Sequence, residues 1–185
     1  KVTRAARSVA LVMDDGSRRR FDAVVFACNT DQALALLEPT VAEKKVLGAW
    51  RYKEGRVVVH RDHSAFPPKA LIEGYTFLYT DRDGHLETSV NGALWHEPGV
   101  PDACDHISSQ HPNFPIREAL IELDTTLRTP IFDFSSCATT AMLPSLNGTK
   151  NTYYCGSHFG FGLHDDAVSS AFAVAEMLGT PFRAS

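Results

Sequence analysis

The sequence predicts an α+β fold, in which helices flank a mixed, mainly antiparallel sheet. Three observations lead to this prediction. Hydrophobic residues make up 44% of the 185 residues, which is enough to bury a substantial core. Segments rich in β-branched and aromatic residues alternate irregularly with short segments of helical periodicity. Turn sequences such as Asp81-Arg82-Asp83-Gly84 separate neighbouring strands, as they do in antiparallel hairpins.

The first quarter of the chain is predicted to form a hairpin followed by two short helices. Residues 2–13 are rich in apolar and β-branched residues, and residues 18–26 are predicted to form the returning strand after the turn sequence Asp14-Asp15-Gly16-Ser17. Residues 32–37 carry apolar side chains on one helical face, and the three residues before them are all good N-caps. A second helix is predicted at residues 41–47, after a proline that ends the first.

The middle of the chain is predicted to supply the antiparallel strands. Residues 49–60, 75–80 and 86–94 have strand-like composition, and the last two form a hairpin. Residues 97–115 contain four prolines, which predicts an irregular excursion or lid. Residues 116–127 have apolar side chains at spacings of three and four, which predicts a helix.

The end of the chain is predicted to form a strand, a glycine-rich loop and a helix. The strand covers residues 152–155, the loop 156–162 and the helix 167–178, and residues 139–146 before them have a helical pattern. Glycines let backbone N–H groups approach a ligand, and the first turn of a helix carries unpaired N–H groups. The junction could therefore bind a phosphate, a carboxylate or a ring edge. An ordinary strand–loop–helix with an aspartate cap explains the same residues.

Three segments resemble the flavin amine oxidase and protoporphyrinogen oxidase superfamily, and in particular its branch of predicted NAD/FAD-binding proteins. Residues 153–178 are similar to the last FAD-contacting motif of that superfamily: an aromatic strand, Cys-Gly, a glycine loop, His-Asp-Asp and a helix of small residues. Residues 22–37 resemble the strand that re-enters the FAD domain after a small β-meander. Residues 51–62 resemble the strand that next enters the substrate domain.

The resemblance implies an FAD cofactor and identifies the residues that would contact it. Gly156 and Ser157 would lie beside the pyrophosphate and ribityl chain. The residues beside the isoalloxazine ring would be His164, Asp165, Asp166, Ala167 and Val168. The positive end of the helix would stabilise the anionic reduced flavin. No residue of this sequence is identified as catalytic.

The resemblance also implies a division into domains. Residues 1–47 and 148–185 would form the C-terminal portion of an FAD-binding domain, and residues 48–147 part of a substrate-binding domain. The GxGxxG loop that binds the ADP half of FAD is absent from the sequence. We therefore expect an incomplete amine-oxidase-like FAD fold, the C-terminal piece of a longer protein whose N-terminal part binds the dinucleotide. The isolated chain is predicted to be inactive.

The implied function is that of an FAD-dependent oxidoreductase. It would transfer a hydride from a C–H bond of an amine or apolar small-molecule substrate to the flavin. Two alternatives remain open. One is a redox-neutral, flavin-dependent double-bond isomerase that acts on a fatty acid. The other is a non-catalytic fragment that serves as a binding or structural module.

Composition excludes several other classes of protein. The net charge is −4 and no basic stripe is present, so no nucleic-acid partner is predicted. No apolar run is long enough to predict a membrane span. The four cysteines include no CxxC pair, which predicts free thiols in a reducing, cytoplasmic compartment.

Several smaller patterns are open to two interpretations. His60, Asp62 and His63 could bind a metal, but strand alternation turns His63 away, which favours a plain surface strand. Cys28 and Cys155 are predicted to end neighbouring strands, either as buried thiols or as a flavin link or redox pair. Aromatic residues in the middle of the chain could line a substrate cavity or, more simply, belong to the core: Tyr75, Phe77, Tyr79 and Trp95. His106 and His111 are predicted to be loop residues without a third ligand.

Overall fold

The computed structural model describes residues 1–101 and 103–180, and its chain forms two compact units. Unit 1 consists of Lys1–Tyr52 and Pro130–Ser185, and unit 2 consists of Lys53–Thr129. The chain therefore begins unit 1, forms the whole of unit 2, and then completes unit 1. The assignment of cofactor-binding and substrate-binding roles to these parts of the chain stays a prediction. No helix in the described ranges is both long and apolar enough to cross a membrane.

Ten strands and four α-helices occur in the described residues. The strands, in chain order, are β1 (Val2–Ala5), β2 (Ser8–Val12), β3 (Arg18–Phe21), β4 (Val24–Phe26), β5 (Arg51–His60), β6 (Tyr75–Arg82), β7 (His85–Ala93), β8 (Ile107–Gln110), β9 (Ile121–Ile131) and β10 (Thr152–Tyr154). The helices are α1 (Thr30–Leu36), α2 (Val41–Leu47), α3 (Phe134–Thr140) and α4 (His164–Met177). The predicted mixture of helices with a mainly antiparallel sheet is confirmed.

Unit 1 contains two small sheets. Strands β1, β2 and β3 form an antiparallel sheet, and β4 pairs in parallel with β10, with Phe26 opposite Tyr154. The segment 2–13, predicted as one strand, is two strands because the chain reverses between Ala5 and Ser8. The segment 18–26 is also two strands, and these belong to different sheets. Short-range composition predicted extended structure correctly here but not its pairing.

The core of unit 1 packs the helices α1 and α2 against both small sheets. The aromatic rings of Phe26 and Tyr154 stack with their centroids 5.6 Å apart, and Leu47 and Val46 from α2 are fully buried beside them. Thr40 caps α2 by accepting a hydrogen bond from the Glu43 N–H at 3.2 Å. α2 has its predicted bounds because this cap fixes its start and its apolar side chains lie on one buried face.

A buried ionic network joins three elements of unit 1. Arg4 on β1 pairs with Glu43 on α2 at 2.5 Å, and the Tyr154 hydroxyl on β10 donates to the same carboxylate at 2.7 Å. Burial raises the pKa of Glu43, but hydrogen bonds from Arg4, Thr40 and Tyr154 outweigh that effect and lower it to about 2. The carboxylate is therefore ionised in the folded protein and holds β1, α2 and β10 together.

The sheet of unit 2 has the order β6-β7-β8-β5-β9. Strands β6 and β7 form a hairpin in which Arg82 lies opposite His85. Both residues between them have positive φ, 54° at Asp83 and 80° at Gly84, which is the backbone of a two-residue turn. Strand β8 pairs in antiparallel orientation with both β7 and β5. The hairpin was predicted correctly, with strands slightly longer than the sequence indicated.

Two secondary-structure predictions for unit 2 are wrong. The segment predicted as a helix at 116–127 contains most of β9, which lies beside β5, and its Leu123 and Leu127 are half exposed rather than buried on one face. β9 is rich in β-branched residues, and sheet pairing prevails over the coincidental helical spacing. The segment 97–115, predicted to be irregular, contains β8 in the interior of the sheet.

The aromatic residues of β6 do not belong to the core. The exposed fractions are 67% for Tyr75, 52% for Phe77 and 61% for Tyr79. These residues alternate along β6, which is an edge strand of the sheet, so they share one face of it. The preference for a plain core position is therefore wrong for these three side chains, because an alternating pattern does not reveal whether its face is covered.

Candidate functional site

The candidate site lies in unit 1, where β4 and β10 end side by side. Pairing of Phe26 with Tyr154 continues through a hydrogen bond of 3.1 Å from the Cys155 N–H to the Phe26 carbonyl. This confirms that Cys28 and Cys155 follow neighbouring strands, and both thiols are free. Burial is the main cause that raises the pKa of both thiols, with a smaller effect of Asp31 on Cys28 and of Cys28 on Cys155. Both are therefore held in the unreactive protonated form.

Gly156 connects β10 to the loop and is fixed by contacts within the protein. Its φ is 149°, and a Cβ atom there would lie 2.7 Å from Cε1 of His158, so a side chain is excluded. Its N–H donates to Ser170 Oγ on α4 at 2.9 Å. A cofactor beside Gly156 would therefore contact the Cα atom of this glycine rather than its N–H. Ser157 is half-buried and begins the 3-10 turn that follows.

Asp166 fastens the loop to the start of α4. Its Oδ2 accepts hydrogen bonds from the N–H groups of Phe161 and Leu163, both at 2.9 Å. A Cβ atom at Gly160 would collide with the Asp166 carboxylate, which explains the glycine there. Asp166 thus acts as a helix cap, which the sequence offered as the simpler interpretation.

The structure separates the predicted FAD-contacting residues into two groups. Gly156, Ser157, Asp166 and Ala167 are partly buried where the loop meets α4. His164, Asp165 and Val168 are exposed on the first turn of α4. All seven residues therefore lie along one strand–loop–helix junction, but only the second group presents its side chains freely to a ligand.

Two buried residues that the sequence did not single out lie beneath this loop. His158 is 5% exposed and Trp50 is 3% exposed, and their rings meet edge-on with centroids 5.7 Å apart. Burial lowers the pKa of His158 to about 4. The Trp50 Nε1–H is buried and has no hydrogen-bond partner within the described part of the chain. No local pattern could have predicted this pair, because the two residues are distant in sequence.

Four exposed apolar side chains lie in the loop before α4 or around the start of α3, and we call them the aromatic rim: Phe132, Phe134, Phe161 and Leu163. Phe134 is 98% exposed, and it lines an open depression of about 480 Å³ together with Phe132, Asp133 and Cys137. The Phe132 ring packs edge-on against Trp50 at 5.3 Å, and a Cβ atom at Gly162 would lie 2.8 Å from its Cε2 atom. Phe132 therefore brings exposed apolar surface close to the loop that precedes α4.

His60 and Asp62, at the end of β5 in unit 2, are buried in a network of hydrogen bonds, so the preference for a plain surface strand is wrong for them. His60 is fully buried, and its ring nitrogens contact the Asp62 N–H at 3.1 Å and Ser109 Oγ at 2.8 Å. Asp62 accepts hydrogen bonds from the Arg117 side chain at 2.9 and 3.0 Å. Across residues 1–101 and 103–180, no group of three or more His, Cys, Asp or Glu side chains is arranged to hold a metal.

Comparison with known proteins supports the fold and goes no further. No model of a protein family matches the chain, and no curated protein matches its sequence. Among solved structures, the chain is similar to the crystal structure of a CLA-producing fatty acid isomerase from P. acnes, with a TM-score of 0.57 and 14% sequence identity. The match covers 96% of this chain but only 46% of that chain, so this chain spans less than half its length. At this identity the likeness shows a shared fold alone, and the amine oxidase identity stays a prediction.

Proposed function

We propose that this chain is the C-terminal portion of an FAD-dependent oxidoreductase of the flavin amine oxidase superfamily. Unit 1 would contribute to the FAD-binding domain and unit 2 to the substrate-binding domain. Bound FAD would accept a hydride from a C–H bond of an amine or apolar substrate. The share of this chain would be to bind and orient the cofactor and to exclude water from its ring.

The observation that carries the proposal is the aromatic rim beside the start of α4. The first helical hydrogen bond of α4 is donated by the Ala167 N–H to the Leu163 carbonyl. The N–H groups of His164, Asp165 and Asp166, in the first turn of the helix, therefore have no helical acceptor. Phe132 lies close to Gly162, two residues before the start of α4, so aromatic surface lies near these N–H groups. A flat ring system with polar edge atoms, such as isoalloxazine, matches both features.

Two carboxylates at this junction weaken the positive potential that is expected at the start of α4. Asp165 and Asp166 lie in the first turn of α4 and offset the partial positive charge of the helix end. The Asp166 carboxylate is occupied by the N–H groups of the loop. Stabilisation of negative charge on a ring would therefore come from individual N–H groups in contact with it, and less from the helix end as a whole.

A second candidate function is a redox-neutral double-bond isomerase that acts on a fatty acid. The observation in its favour is the structural similarity to a CLA-producing fatty acid isomerase over nearly the whole of this chain. The same junction would serve either reaction, because both need a bound and oriented ring beside an apolar substrate. The two candidates differ in whether the cofactor is left reduced once the substrate has been converted and before any electron acceptor is added.

The decisive experiment measures flavin in the purified full-length gene product. We expect a blue absorption band and release of FAD on denaturation. Val168 is half exposed on the first turn of α4, and Val168→Glu should lower the flavin content by placing a carboxylate beside the ring. Ala173→Glu is the matched control, since Ala173 is exposed on the same helix more than one turn further on. A colourless protein that takes up no added FAD would refute the proposal and leave the non-catalytic module.

A second experiment separates the two reactions. Under anaerobic conditions, an oxidoreductase should lose flavin absorbance in proportion to the amine or apolar substrate added. An isomerase should convert a polyunsaturated fatty acid to a conjugated diene, detected by its ultraviolet absorbance, while the flavin absorbance is unchanged. Equal flavin content in Val168→Glu and Ala173→Glu would show that the flavin ring does not lie at the start of α4. It would not change the proposed class of reaction.

A further inference from the structure

A thiol and an imidazole lie side by side in unit 2, in the segment that leads into β8. Cys104 Sγ lies 3.5 Å from His106 Nδ1, which is within hydrogen-bond distance for sulfur. The other ring nitrogen, Nε2, lies 3.8 Å from Glu122 Oε1 on β9. Glu122 is held in turn by Arg61 at 2.9 Å. Cys104, His106 and Glu122 are all partly exposed, so a small molecule can reach the sulfur.

The backbone of this segment is fixed at three consecutive residues. Their carbonyl groups accept hydrogen bonds from donors elsewhere in unit 2: Cys104 from Lys69 Nζ at 2.6 Å, Asp105 from His63 Nε2 at 2.7 Å, and His106 from the Leu94 N–H at 3.0 Å. The thiol and the imidazole therefore meet in a pre-arranged geometry. A nucleophile beside a base that a third group orients is the general arrangement of an activated nucleophile.

We propose that Cys104 is a reactive thiol, assisted by His106, that forms thioethers with α,β-unsaturated carbonyl compounds. Sγ bonds to the β-carbon of the electrophile while the thiol proton passes to His106 Nδ1. The electron pair of the C=C bond moves to the α-carbon, which then takes the proton back from His106. The addition therefore balances without any other reactant. Two carboxylates stabilise the transient imidazolium, since Asp105 and Glu122 lie 3.7 and 3.8 Å from its two nitrogens.

The other three cysteines lack this arrangement. Cys28 is partly buried and Cys155 is buried, and burial raises the pKa of both thiols. Cys137 is exposed on α3, and no histidine contacts it within the described ranges. Cys137 is thus an internal reference for an accessible thiol without a base, and it is present in every sample that contains Cys104.

The test follows the alkylation of all four cysteines by acrylamide, an α,β-unsaturated amide, in the folded chain at neutral pH. Digestion and peptide mass spectrometry give one rate for each cysteine. We expect Cys104 to react about tenfold faster than Cys137, because an unassisted thiol is only a few per cent ionised at neutral pH and a positioned base typically adds one to several powers of ten. His106→Gln should reduce the Cys104 rate to that of Cys137. His85→Gln, a matched change at an exposed histidine in the β6–β7 hairpin, should leave it unchanged.

Two further measurements exclude other causes. Glu122→Gln leaves the thiol and the imidazole in place, and it should lower the Cys104 rate by removing the charge that stabilises the imidazolium; it serves as the test if His106→Gln fails to fold by circular dichroism. In the guanidinium-unfolded chain, Cys104 and Cys137 should react at equal rates. Equal rates in the folded chain, or an advantage of Cys104 that survives unfolding, would overturn the proposal.

Discussion

Protonation of His158 should destabilise unit 1, because the imidazole is buried. The imidazole is 5% exposed and packs against the rings of Trp50 and Phe159, with centroids 5.7 and 5.1 Å away. Burial disfavours the charged form and lowers the pKa of His158 to about 4. In the unfolded chain a histidine has its ordinary pKa of about 6.5. Between these two values the unfolded chain binds a proton that the folded chain does not bind, so stability falls as the pH decreases.

The size of the effect follows from the gap of about 2.5 pH units between the two values. Each unit corresponds to about 1.4 kcal/mol, so the full loss below pH 4 is roughly 3 kcal/mol, and about 2 kcal/mol is lost between pH 7 and pH 5. For a protein of this size each kcal/mol shifts the Tm by about 2–4 °C, which gives a decrease of roughly 4–8 °C over that interval.

The assay compares His158→Phe with its parent by urea unfolding at pH 7 and at pH 5. The chain has two tryptophans, and Trp95→Phe in both proteins leaves Trp50, the neighbour of His158, as the only reporter. Phenylalanine keeps an aromatic ring in the site but cannot bind a proton. His164→Phe changes an exposed histidine of unit 1 and should retain the full pH dependence.

The expected result is that His158→Phe loses much less stability than its parent between pH 7 and pH 5. Some dependence should remain in the variant when unfolding of unit 2 is observed, because burial also lowers the pKa of His60. If the parent and His158→Phe lose equal free energies of unfolding, the folded protein accommodates the proton on His158, and the argument from burial is wrong.

Substitutions at three other positions test local interactions within each unit. Glu43→Gln should destabilise unit 1 by roughly 3 kcal/mol in urea unfolding at pH 7, because buried Arg4 loses its counter-charge. The difference in stability between the variant and its parent should be complete above the ordinary glutamate pKa. It should disappear as the pH falls to about 2, the pKa of Glu43 in the folded protein. Asp62→Asn should cost unit 2 about 1–2 kcal/mol, since the Arg117 side chain loses a charged acceptor, with faster amide hydrogen exchange in β5 as the measurement. Gly84→Ala should cost about 1 kcal/mol, because φ is 80° there, and Gly84→Asn should cost less; Trp95 fluorescence in urea reports both.

Local signals explain the elements that the sequence predicted well. The bounds of α2 agree with prediction because a cap at Thr40 and the apolar face of the helix lie within a few residues of each other. The β6–β7 hairpin was predictable because Asp83 and Gly84 specify the turn by themselves. Helix α4 was predictable because its acidic pair follows a glycine loop, but it begins at His164, three residues before the predicted start. In each case the interaction that determines the structure joins near neighbours in the sequence.

Long-range pairing explains the elements that the sequence did not predict. β9 has an accidental helical spacing, and its strand conformation is stabilised by its neighbour β5, which lies far away in the chain. β8 is polar and is preceded by prolines, yet Ser109 is fully buried because it pairs with β5 and contacts His60. These elements have strand structure because of their partners, and their own composition gives little sign of it.

The candidate site shows the same division. The resemblance identified the strand, the loop and the helix, and the structure brings them together at one junction. The contact between Trp50 and His158 depends on segments that meet only in the folded chain, and so does the approach of Phe132 to Gly162. The bond from the Gly156 N–H to Ser170 was also unexpected, since the glycine suggested a ligand and the structure shows an internal acceptor.

The parallel pair of β4 and β10 connects these observations to the proposed function. Parallel strands usually belong to larger sheets covered on both faces, yet these two three-residue strands pair only with each other within the described residues. Ligands of parallel sheets bind at the carboxyl ends of the strands, which is where Cys28 and Gly156 lie. If a dinucleotide-binding part adds strands to this pair, completion of the sheet and completion of the cofactor site are the same event. The affinity of this chain for FAD should then depend mainly on whether that part is present.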